Sequence, residues 1–326
     1  MSKLAPHLMY GTTDERIATR KGYGETLVEL GGEDPRIVVM DADLAKSTMT
    51  DMFWKAFPER FFDAGIAEQD MLCMCAGLAR TGKVAFASTY GVFVAGRAWD
   101  QIRTTVCYTN LNVKIGGAHG GISVGPDGAT HQALEEIALM RVLPNMTVIG
   151  PCDYLETKKA VRAAVAIDGP VYLRFGREPV PVLTSDDSPF EIGRGEVFRD
   201  GSDVSIIANG VMVKEALDAA AMLEAEGIDA RVINLHTIKP IDRDLIAQAA
   251  AETGAIVTAE EHQVMAGFGS AVAEVVVNTC PVPMRFVGIQ DRFGESGDPD
   301  ELMEVFGLRG HHIAEKVKEV LATKCC

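Results

Sequence analysis

The segment Phe61-Phe62-Asp63-Ala64-Gly65-Ile66-Ala67-Glu68-Gln69-Asp70 runs from a short apolar strand through a glycine turn into a helix. The apolar residues that follow recur at helical spacing, at Met71, Leu72, Cys75, Leu78 and Ala79. An open α/β sheet binds ligands beyond the carboxyl ends of its strands, and this pattern places Glu68 there. An acid in a first helical turn can also serve only to complement the helix dipole. Position alone therefore leaves Glu68 as either a functional group or a helix-capping charge.

From residue 16 to about 178, short apolar runs alternate with patterns of helical periodicity. Strands this apolar, each followed by a helix, indicate a mostly parallel sheet that is covered on both faces. The predicted strands are residues 37–40, 84–87, 112–115, 147–149 and 171–175, and the predicted helices include one ending at 30, one from 68, one through 99 and 102, one at 132–141 and one from 155.

A stretch rich in proline and polar residues separates this unit from a second one. Pro179, Pro181 and the segment 184–189 break the periodicity, as a linker between compact units does. The alternation of strands and helices then resumes. The sequence predicts an α/β protein of two successive domains, each a mostly parallel sheet flanked by helices, with boundaries at residues 13–180, 181–192 (the linker) and 193–326.

The composition limits the partners of the chain. Its 326 residues carry a formal net charge of -15 and no polybasic run, which argues against nucleic acid and anionic membrane surfaces. No apolar stretch is long enough to cross a bilayer, and the first nine residues do not resemble a secretory signal. None of the seven cysteines falls in a CxxC pair. We therefore expect a cytoplasmic protein with reduced thiols, and an exposed Cys325-Cys326 terminus.

Aromatic and basic side chains follow two of the predicted strands. Tyr90 and Phe93 come soon after the strand at 84–87. Such rings usually fill a core, yet an aromatic face also stacks well on a flat heteroaromatic ligand. Near the last predicted strand of the first unit, Arg174 and Arg177 could hold a phosphate group or form ordinary surface ion pairs.

The loop at residues 116–132 is the densest cluster of the chain. Its many glycines let a ligand approach the backbone closely. They leave His119, Asp127 and His131 as the main functional side chains of the loop. Packing gives no reason for two histidines and an aspartate in such a loop, so the pattern favours a ligand site.

Taken together, these segments closely resemble the pyrimidine-binding domain of the transketolases. The resemblance rests on Gly65-Ile66-Ala67-Glu68-Gln69, on Ser88-Thr89-Tyr90, and on the segment from His119 through Asp127-Gly128 to Thr130-His131-Gln132. Residues 16–20 and 42–47 are similar to the early part of that domain, and the chain from about residue 193 onward is similar to the transketolase C-terminal domain. The resemblance thus covers nearly the whole chain.

The resemblance implies a thiamine diphosphate enzyme in which Glu68 holds N1′ of the aminopyrimidine ring. A carboxyl group that shares a proton with N1′ stabilises the imino tautomer, whose nitrogen can take the proton from the thiazolium carbon. The ring nitrogen also explains how the acid can be buried. Tyr90 and Phe93 would stack on the cofactor, although Phe is the more usual residue where Tyr90 stands. Asp43 would lie near the thiazolium.

The same resemblance implies the roles of the substrate-binding residues. His119 and His131 would contact oxygens of the sugar and assist proton transfer. Asp127 would select the configuration of the hydroxyl next to the reacting carbon. The positions that match those holding the terminal phosphate of the acceptor are Arg20, Ser47 and Arg177.

One family motif is missing from this sequence. Full-length transketolases carry a Gly-Asp-Gly motif with a downstream asparagine that holds magnesium and the cofactor's diphosphate, whereas Asp127-Gly128 and Gly297-Asp298 are only fragments of it. The resemblance therefore implies the C-terminal subunit of a split transketolase acting on sugar phosphates. A separate N-terminal subunit would bring Mg²⁺ (or Ca²⁺), in an α2β2 assembly in which this chain also self-associates.

Three other functions remain open at this point. A deoxyxylulose phosphate synthase usually has arginine where His119 stands and is not split, and the β subunit of a 2-oxoacid dehydrogenase lacks the long Gly-His-Gly loop. A noncatalytic assembly subunit would have no physical need for the acid and the histidine loop. The second domain is expected to be structural, with Glu260, Glu261 and His262 in an exposed or interfacial polar loop.

Overall fold

A computed structural model of the chain describes residues 3–10 and 14–324. They form two successive α/β units, which confirms the predicted fold class. Within these ranges no helix is both long and apolar enough to span a bilayer. The predicted exposure of Cys325 and Cys326 falls outside the described residues.

The first unit contains eight strands and eight α-helices among the described residues. Two 3₁₀ turns, at Pro58–Arg60 and Ile122–Asp127, and a π-helical turn at Ile102–Cys107 interrupt the pattern. The elements in chain order are β1 (Arg16–Ala18), α1 (Thr19–Glu33), β2 (Ile37–Asp41), α2 (Ala45–Thr48), α3 (Asp51–Ala56), β3 (Phe61–Asp63), α4 (Glu68–Arg80), β4 (Val84–Tyr90), α5 (Gly91–Arg97), α6 (Trp99–Gln101), β5 (Val113–Ala118), α7 (Glu136–Arg141), β6 (Thr147–Ile149), α8 (Tyr154–Ala166), β7 (Val171–Arg174) and β8 (Pro179–Pro181).

The second unit continues the alternation. Its elements are β9 (Glu196–Arg199), β10 (Val204–Ala208), α9 (Met212–Ala225), β11 (Ala230–Asn234), β12 (Thr237–Lys239), α10 (Arg243–Thr253), β13 (Ile256–Gln263), α11 (Phe268–Asn278), β14 (Met284–Ile289), α12 (Pro299–Val305) and α13 (Gly310–Lys324).

Two sheets organise these elements, and a short antiparallel pair, β1 with β8, lies apart from them. The first sheet has the order β12-β6-β7-β5-β4-β2-β3, and all its pairs are parallel except β12 with β6. The second has the order β14-β13-β10-β11-β9, parallel except for β9. Every residue of β2 and β4 is buried, because helices cover both faces. The carboxyl ends of the parallel strands of the first sheet therefore meet at one edge.

The two units are less separate than the linker pattern suggests. Strand β12 belongs to the second unit by sequence, yet it pairs with β6 at the end of the first sheet. In the predicted linker, Leu183 and Thr184 are buried, and their backbone N–H groups donate to Asp153 Oδ2 at 2.7 and 2.6 Å. The polar composition there reflects a hydrogen-bonded connection rather than a free one.

Two predicted boundaries were wrong around the histidine loop. The helix predicted from Gln132 begins at Glu136, since the Gln132 side-chain amide is held by the carbonyl groups of Ile122 and Glu295 at 3.1 and 2.8 Å. The strand predicted to end at 115 continues to Ala118 through two glycines. A Cβ atom on Gly117 would lie 2.1 Å from the Tyr172 hydroxyl oxygen, so the strand can pass there only with glycine.

Candidate active site

Glu68 is the first residue of α4, directly beyond the carboxyl end of β3. The turn between them places Gly65 at φ +67°, which favours glycine. Asp63 fixes this turn, because its Oδ1 accepts from the N–H of Gly65 at 2.8 Å and from the N–H of Asp43 at 3.1 Å. The strand end thus ties the loop of Asp43 to the turn that presents Glu68. Asp43 itself is exposed and has a φ of +62°.

The Glu68 carboxyl group is buried, with 4 % of the residue exposed, and has an unusual partner. Its Oε1 accepts from Arg97 Nη1 at 2.9 Å, and the Arg97 side chain is 53 % exposed. The same guanidinium lies 4.3 Å from the centre of the Phe93 ring. Glu68 is therefore a buried acid whose charge partner lies half in solvent and against a predicted cofactor-stacking ring.

The predicted aromatic and histidine residues converge beside this pair. Tyr90 ends β4, and its ring stacks on His119 with centroids 3.9 Å apart and on Phe93 at 5.5 Å. His131 meets both aromatic rings edge-on, at 5.8 Å from Tyr90 and 5.3 Å from Phe93. The Nδ1 atom of His131 lies 2.8 Å from the Thr130 hydroxyl. Four residues chosen from separate segments of sequence thus form one cluster.

His119 carries two signs of a functional position. Its backbone has a φ of +58°, which a residue other than glycine rarely adopts without a local reason. Its Nδ1 is buried without a hydrogen-bond partner. Burial lowers the pKa of His119 to about 3, and the charges of Arg20, Arg177 and His131 act in the same direction. The imidazole is therefore neutral at neutral pH and has an unused ring nitrogen.

The predicted phosphate-binding residues surround the histidine cluster. Arg20 Nη1 donates to the Ser47 carbonyl at 3.0 Å, while its Nε is buried without a partner. Burial and the nearby Arg177 charge lower the pKa of Arg20. Arg177 donates to the Val124 carbonyl at 2.9 Å and pairs with Asp127 at 3.1 Å. The structure thus brings two guanidinium groups together, and it gives Asp127 a cationic partner that the sequence did not reveal.

Arg174 lies elsewhere, so the possibility that it holds a phosphate is not supported. It is buried, and its Nε donates to Glu136 Oε1 at 2.6 Å. Its Nη2 donates to the carbonyl of Glu261 at 2.8 Å, in the second unit. Arg174 is a cation between the two units rather than a ligand-facing group.

The predicted polar loop at Glu260, Glu261 and His262 was also wrong. These residues lie inside β13 and are at most 3 % exposed. Glu260 accepts from the backbone N–H groups of Phe268 and Gly269 at 2.6 and 2.8 Å, so it anchors the start of α11. The strand continues through the acids because each finds internal donors.

Glu261 reaches the histidine loop, and this contact was missed from the sequence. Its Oε1 accepts from the Ser123 N–H at 2.5 Å. A Cβ atom on Gly121 would lie 2.1 Å from the Glu261 carboxyl carbon, so glycine is required there. The one feature of the sequence that could have indicated this contact is the pair of acids that directly continues an apolar strand. The second unit therefore holds the backbone of the loop that carries His119.

Comparisons with known proteins agree with this arrangement. Residues 15–182 match the family model of the transketolase pyrimidine-binding domain, and residues 193–313 match that of the transketolase C-terminal domain. This chain belongs to the transketolase family. A protein named as a transketolase C-terminal section, from Methanocaldococcus jannaschii, is 49 % identical over 92 % of this chain and 95 % of its own length. A subunit of 6-deoxy-6-sulfo-D-fructose transketolase from Clostridium sp. strain MSTE9 is 42 % identical over 94 % of this chain and 95 % of its own.

A solved structure described as a split-gene transketolase, inactive β4 tetramer, has a TM-score of 0.89 and 54 % identity, covering 94 % of this chain and 99 % of that one. Human transketolase is 37 % identical over 97 % of this chain but only 51 % of its own length. This chain therefore corresponds to proteins that are themselves named as C-terminal sections or subunits, and to about half of the full-length human transketolase.

Transketolases depend on thiamine diphosphate, and the residues of this site fit part of that cofactor. Glu68 is a buried acid, and Phe93 is a half-buried ring that packs against its partner Arg97. Thr89 Oγ1 and His119 Nδ1 are buried polar atoms without partners. Such groups are costly unless a ligand satisfies them. Tyr90 is already packed between His119 and Phe93, so Phe93 is the more accessible of the two rings.

Proposed function

We propose that this chain is the catalytic half of a two-chain, cytoplasmic transketolase. It would transfer a two-carbon ketol unit from a ketose phosphate to an aldose phosphate. A separate N-terminal subunit would bind the diphosphate of thiamine diphosphate together with Mg²⁺ (or Ca²⁺), and the complex would have the composition α2β2.

The observation that carries this proposal is the incomplete surrounding of Glu68. Three large apolar side chains are exposed on the strand, turn and helix that present it: Phe62 at 42 %, Ile66 at 76 % and Met74 at 37 %. Apolar side chains exposed together on one surface mark sites of interaction, and a partner chain would cover these three. A partner that covers these residues would also exclude water from the Glu68 carboxyl group.

Each residue of the cluster has a role that its surroundings allow. Glu68 would hold a proton at the pyrimidine nitrogen, and Arg97 would restrain the carboxyl group. The bound cofactor would supply the nucleophilic carbon for the ketol transfer. His119 is neutral at neutral pH. Its free Nδ1 can therefore accept a hydrogen bond from a sugar hydroxyl, or donate one to a sugar oxygen on which negative charge develops.

The acceptor's phosphate would lie between Arg20 and Arg177, with Ser47 at the edge of that pair. Two partly buried guanidinium groups that repel one another are stabilised by a dianion, because it removes the repulsion and supplies bidentate acceptors. Asp127 now compensates part of the Arg177 charge. We infer that Asp127 turns to a substrate hydroxyl when the phosphate takes over that role.

The known relatives support the dependence on a second chain. The solved split-gene protein is described as inactive in its β4 form, and the Methanocaldococcus jannaschii relative is named as a section of a transketolase. The relative from Clostridium sp. is named as a subunit of a transketolase for 6-deoxy-6-sulfo-D-fructose, so the ketose substrate can differ from one related enzyme to another. The preferred ketose and aldose of this chain are therefore to be found with a substrate panel.

The decisive experiment is reconstitution. The purified chain, supplied with thiamine diphosphate and Mg²⁺, is expected to show no ketol transfer. Addition of an N-terminal subunit carrying the Gly-Asp-Gly motif is expected to give turnover, measured as formation of the new ketose from a panel of donors and acceptors. Activity of the isolated chain would rule out the split-subunit proposal.

The same assay tests the phosphate assignment. With the reconstituted enzyme, the Michaelis constant for a phosphorylated aldose is expected to be lower than that for the matching unphosphorylated aldose. A charge-assisted contact adds about 1.5–3 kcal/mol, which corresponds to a difference of roughly tenfold or more. Equal constants for the two aldoses would remove the phosphate role of Arg20 and Arg177.

A further inference from the structure

Three potential metal ligands converge at the corner between α12 and α13, in the second unit. Glu304 lies near the end of α12, and His311 and His312 lie in the first turn of α13. The Glu304 Oε1 atom is 3.1 Å from His311 Nε2 and 3.8 Å from His312 Nε2. One ligand atom from each residue lies within 4.8 Å of the other two. None of the three residues contributes to the transketolase site described above.

We propose that Glu304, His311 and His312 form a binding site for a divalent transition-metal ion of the zinc class. Ligand atoms that lie about 2.1 Å from a tetrahedral metal ion are roughly 3.4 Å apart. The Glu304–His311 pair at 3.1 Å is already near that spacing, and the Glu304–His312 pair at 3.8 Å is slightly wider. Rotation of the two imidazole side chains, which are 47 % and 26 % exposed, would complete the set.

The donor atoms determine which metal fits. Two imidazole nitrogens and one carboxylate oxygen suit Zn²⁺, Co²⁺, Ni²⁺ and Cu²⁺, whereas Mg²⁺ and Ca²⁺ prefer oxygen ligands throughout. This site therefore differs in kind from the Mg²⁺ that the proposed partner subunit would bring. Three protein ligands leave a fourth position for water, as in open zinc sites.

The backbone that carries the ligands is fixed before any metal binds. Between the two helices, Arg309 donates to Glu215 at 3.1 Å and to Asp300 at 2.7 Å. The other oxygen of Glu215 accepts from the backbone N–H of Gly310 at 2.8 Å, and Leu308 is fully buried. Only side-chain freedom is lost on binding, and this limits the entropic cost.

The structural consequence of binding would be a cross-link between α12 and α13. The same three side chains could form only an ordinary ion-pair cluster, in which Glu304 accepts from a protonated histidine. The two possibilities differ in their pH dependence, because metal binding needs neutral imidazoles and weakens as they gain protons. An ion pair between Glu304 and a histidine instead becomes stronger as the imidazole gains a proton.

The test uses the full chain after removal of metal with a chelator. Cys73, which is exposed, and Cys325 and Cys326, whose exposure the sequence predicts, are changed to Ser so that no thiol competes for the metal. Zn²⁺ is titrated by calorimetry in excess Mg²⁺, and Co²⁺ binding is followed by its visible absorption. We expect one equivalent of Zn²⁺ per chain, with affinity falling between pH 8 and pH 6 by roughly tenfold or more. Heat denaturation with and without Zn²⁺ measures the cross-link.

Substitutions of the three proposed ligands test whether Zn²⁺ binds at this corner. His311→Ala and His312→Ala should each weaken Zn²⁺ binding by roughly tenfold or more, since even loss of a group supporting a ligand costs that much. Glu304→Gln should weaken it while keeping both imidazoles. Glu319→Gln changes an exposed carboxylate about two turns further along the same helix and should bind as the parent does. Unchanged affinity in the two histidine variants, or no stoichiometric binding by the parent chain, would overturn the proposal.

Discussion

Glu68 in the first unit and Glu260 in the second are both buried glutamates, but their carboxyl groups are satisfied in opposite ways. Glu260 accepts from two backbone N–H groups within its own unit, at 2.6 and 2.8 Å. Burial raises the pKa of Glu260 to about 8, so it is mainly protonated at neutral pH. Glu68 instead relies on Arg97, whose side chain is half exposed at the molecular edge.

The difference separates an acid that holds the fold from one that remains available to a ligand. A carboxyl group enclosed by fixed donors cannot turn to a new partner without leaving those donors unpaired. A carboxyl group paired with a half-exposed arginine can turn to a ligand more readily, because water can hydrate the guanidinium that it releases. Buried acids of this chain are therefore distinguished by their partners and not by their burial.

The substitution Glu68→Gln is the strongest test of this difference between the two acids. The amide keeps the size of the side chain but cannot pass a proton to a ring nitrogen. We expect the reconstituted rate to fall by about 10²–10⁴-fold. The free energy of unfolding of the chain should change much less than in a variant that breaks a buried pair, because the amide oxygen can still accept from Arg97. Steady-state kinetics and urea denaturation give the two values.

Asp70→Asn is the matched control for that variant, because Asp70 is an exposed acid in the same first turn of α4. It should leave both the rate and the stability near those of the parent. If Glu68→Gln also kept near-parental turnover, Glu68 would be a helix-capping charge.

The opposite behaviour is expected of Arg174→Met. This change leaves Glu136 and the strand acids of the second unit without their buried cation, and breaking a buried pair costs about 3–5 kcal/mol. Denaturation should show that loss. The rate should fall only as far as the histidine loop loosens, since the hydrogen bonds of Arg174 go to Glu136 and to the carbonyl of Glu261.

The double variant Arg174→Met with Glu136→Gln separates a charge effect from a packing effect. Removal of both partners should recover part of the lost stability, because Glu136 is then no longer an unpaired carboxylate. An equal loss in the single and double variants would mean that Arg174 stabilises the protein only by filling space. The double variant also stays informative if the single variant does not fold.

The sequence could predict those features of the fold and the site that depend on local patterns. Apolar strands alternating with helices gave the fold class, and scarce residue types in a glycine loop gave His119 and His131 as a cluster. Those signals are local, because each lies within one strand end and the loop after it. Their convergence follows from parallel strands ending at the same edge.

The contacts between the units could not be found in that way. Arg174 and Glu261 are 87 residues apart, and their contact depends on how two sheets pack. Strand β12 has three residues and pairs with the other unit, so no periodicity marks it. The arginine after one strand and the acidic pair after another both suggested polar surface. Arg174 instead donates to the carbonyl of Glu261, and the Glu261 carboxyl group accepts from Ser123, in each case across the two units.

The smallest expected effect concerns the pH dependence of stability. The folded chain holds a proton on Glu260 up to about pH 8, whereas an unfolded glutamate loses it near pH 4.5. Unfolding therefore releases a proton between those values, and this group lowers stability as the pH rises through that window, by up to about 1.4 kcal/mol per pH unit. Glu260→Gln removes the titration, so its unfolding free energy should decline less between pH 6 and pH 8 than that of the parent.

Urea denaturation at pH 6, 7 and 8 measures the two slopes, and the exposed acid Glu301, changed to Gln, serves as the control. Only the difference between parent and variant bears on Glu260, because other buried acids, such as Glu156, also have a pKa raised to about 8 by burial. Reconstituted activity at pH 7 should stay close to that of the parent, since Glu260 has its donors in α11 and not in the cluster. A parallel pair of slopes would mean that Glu260 is ionised in the folded chain, and its resemblance to Glu68 would then be closer than the hydrogen bonds indicate.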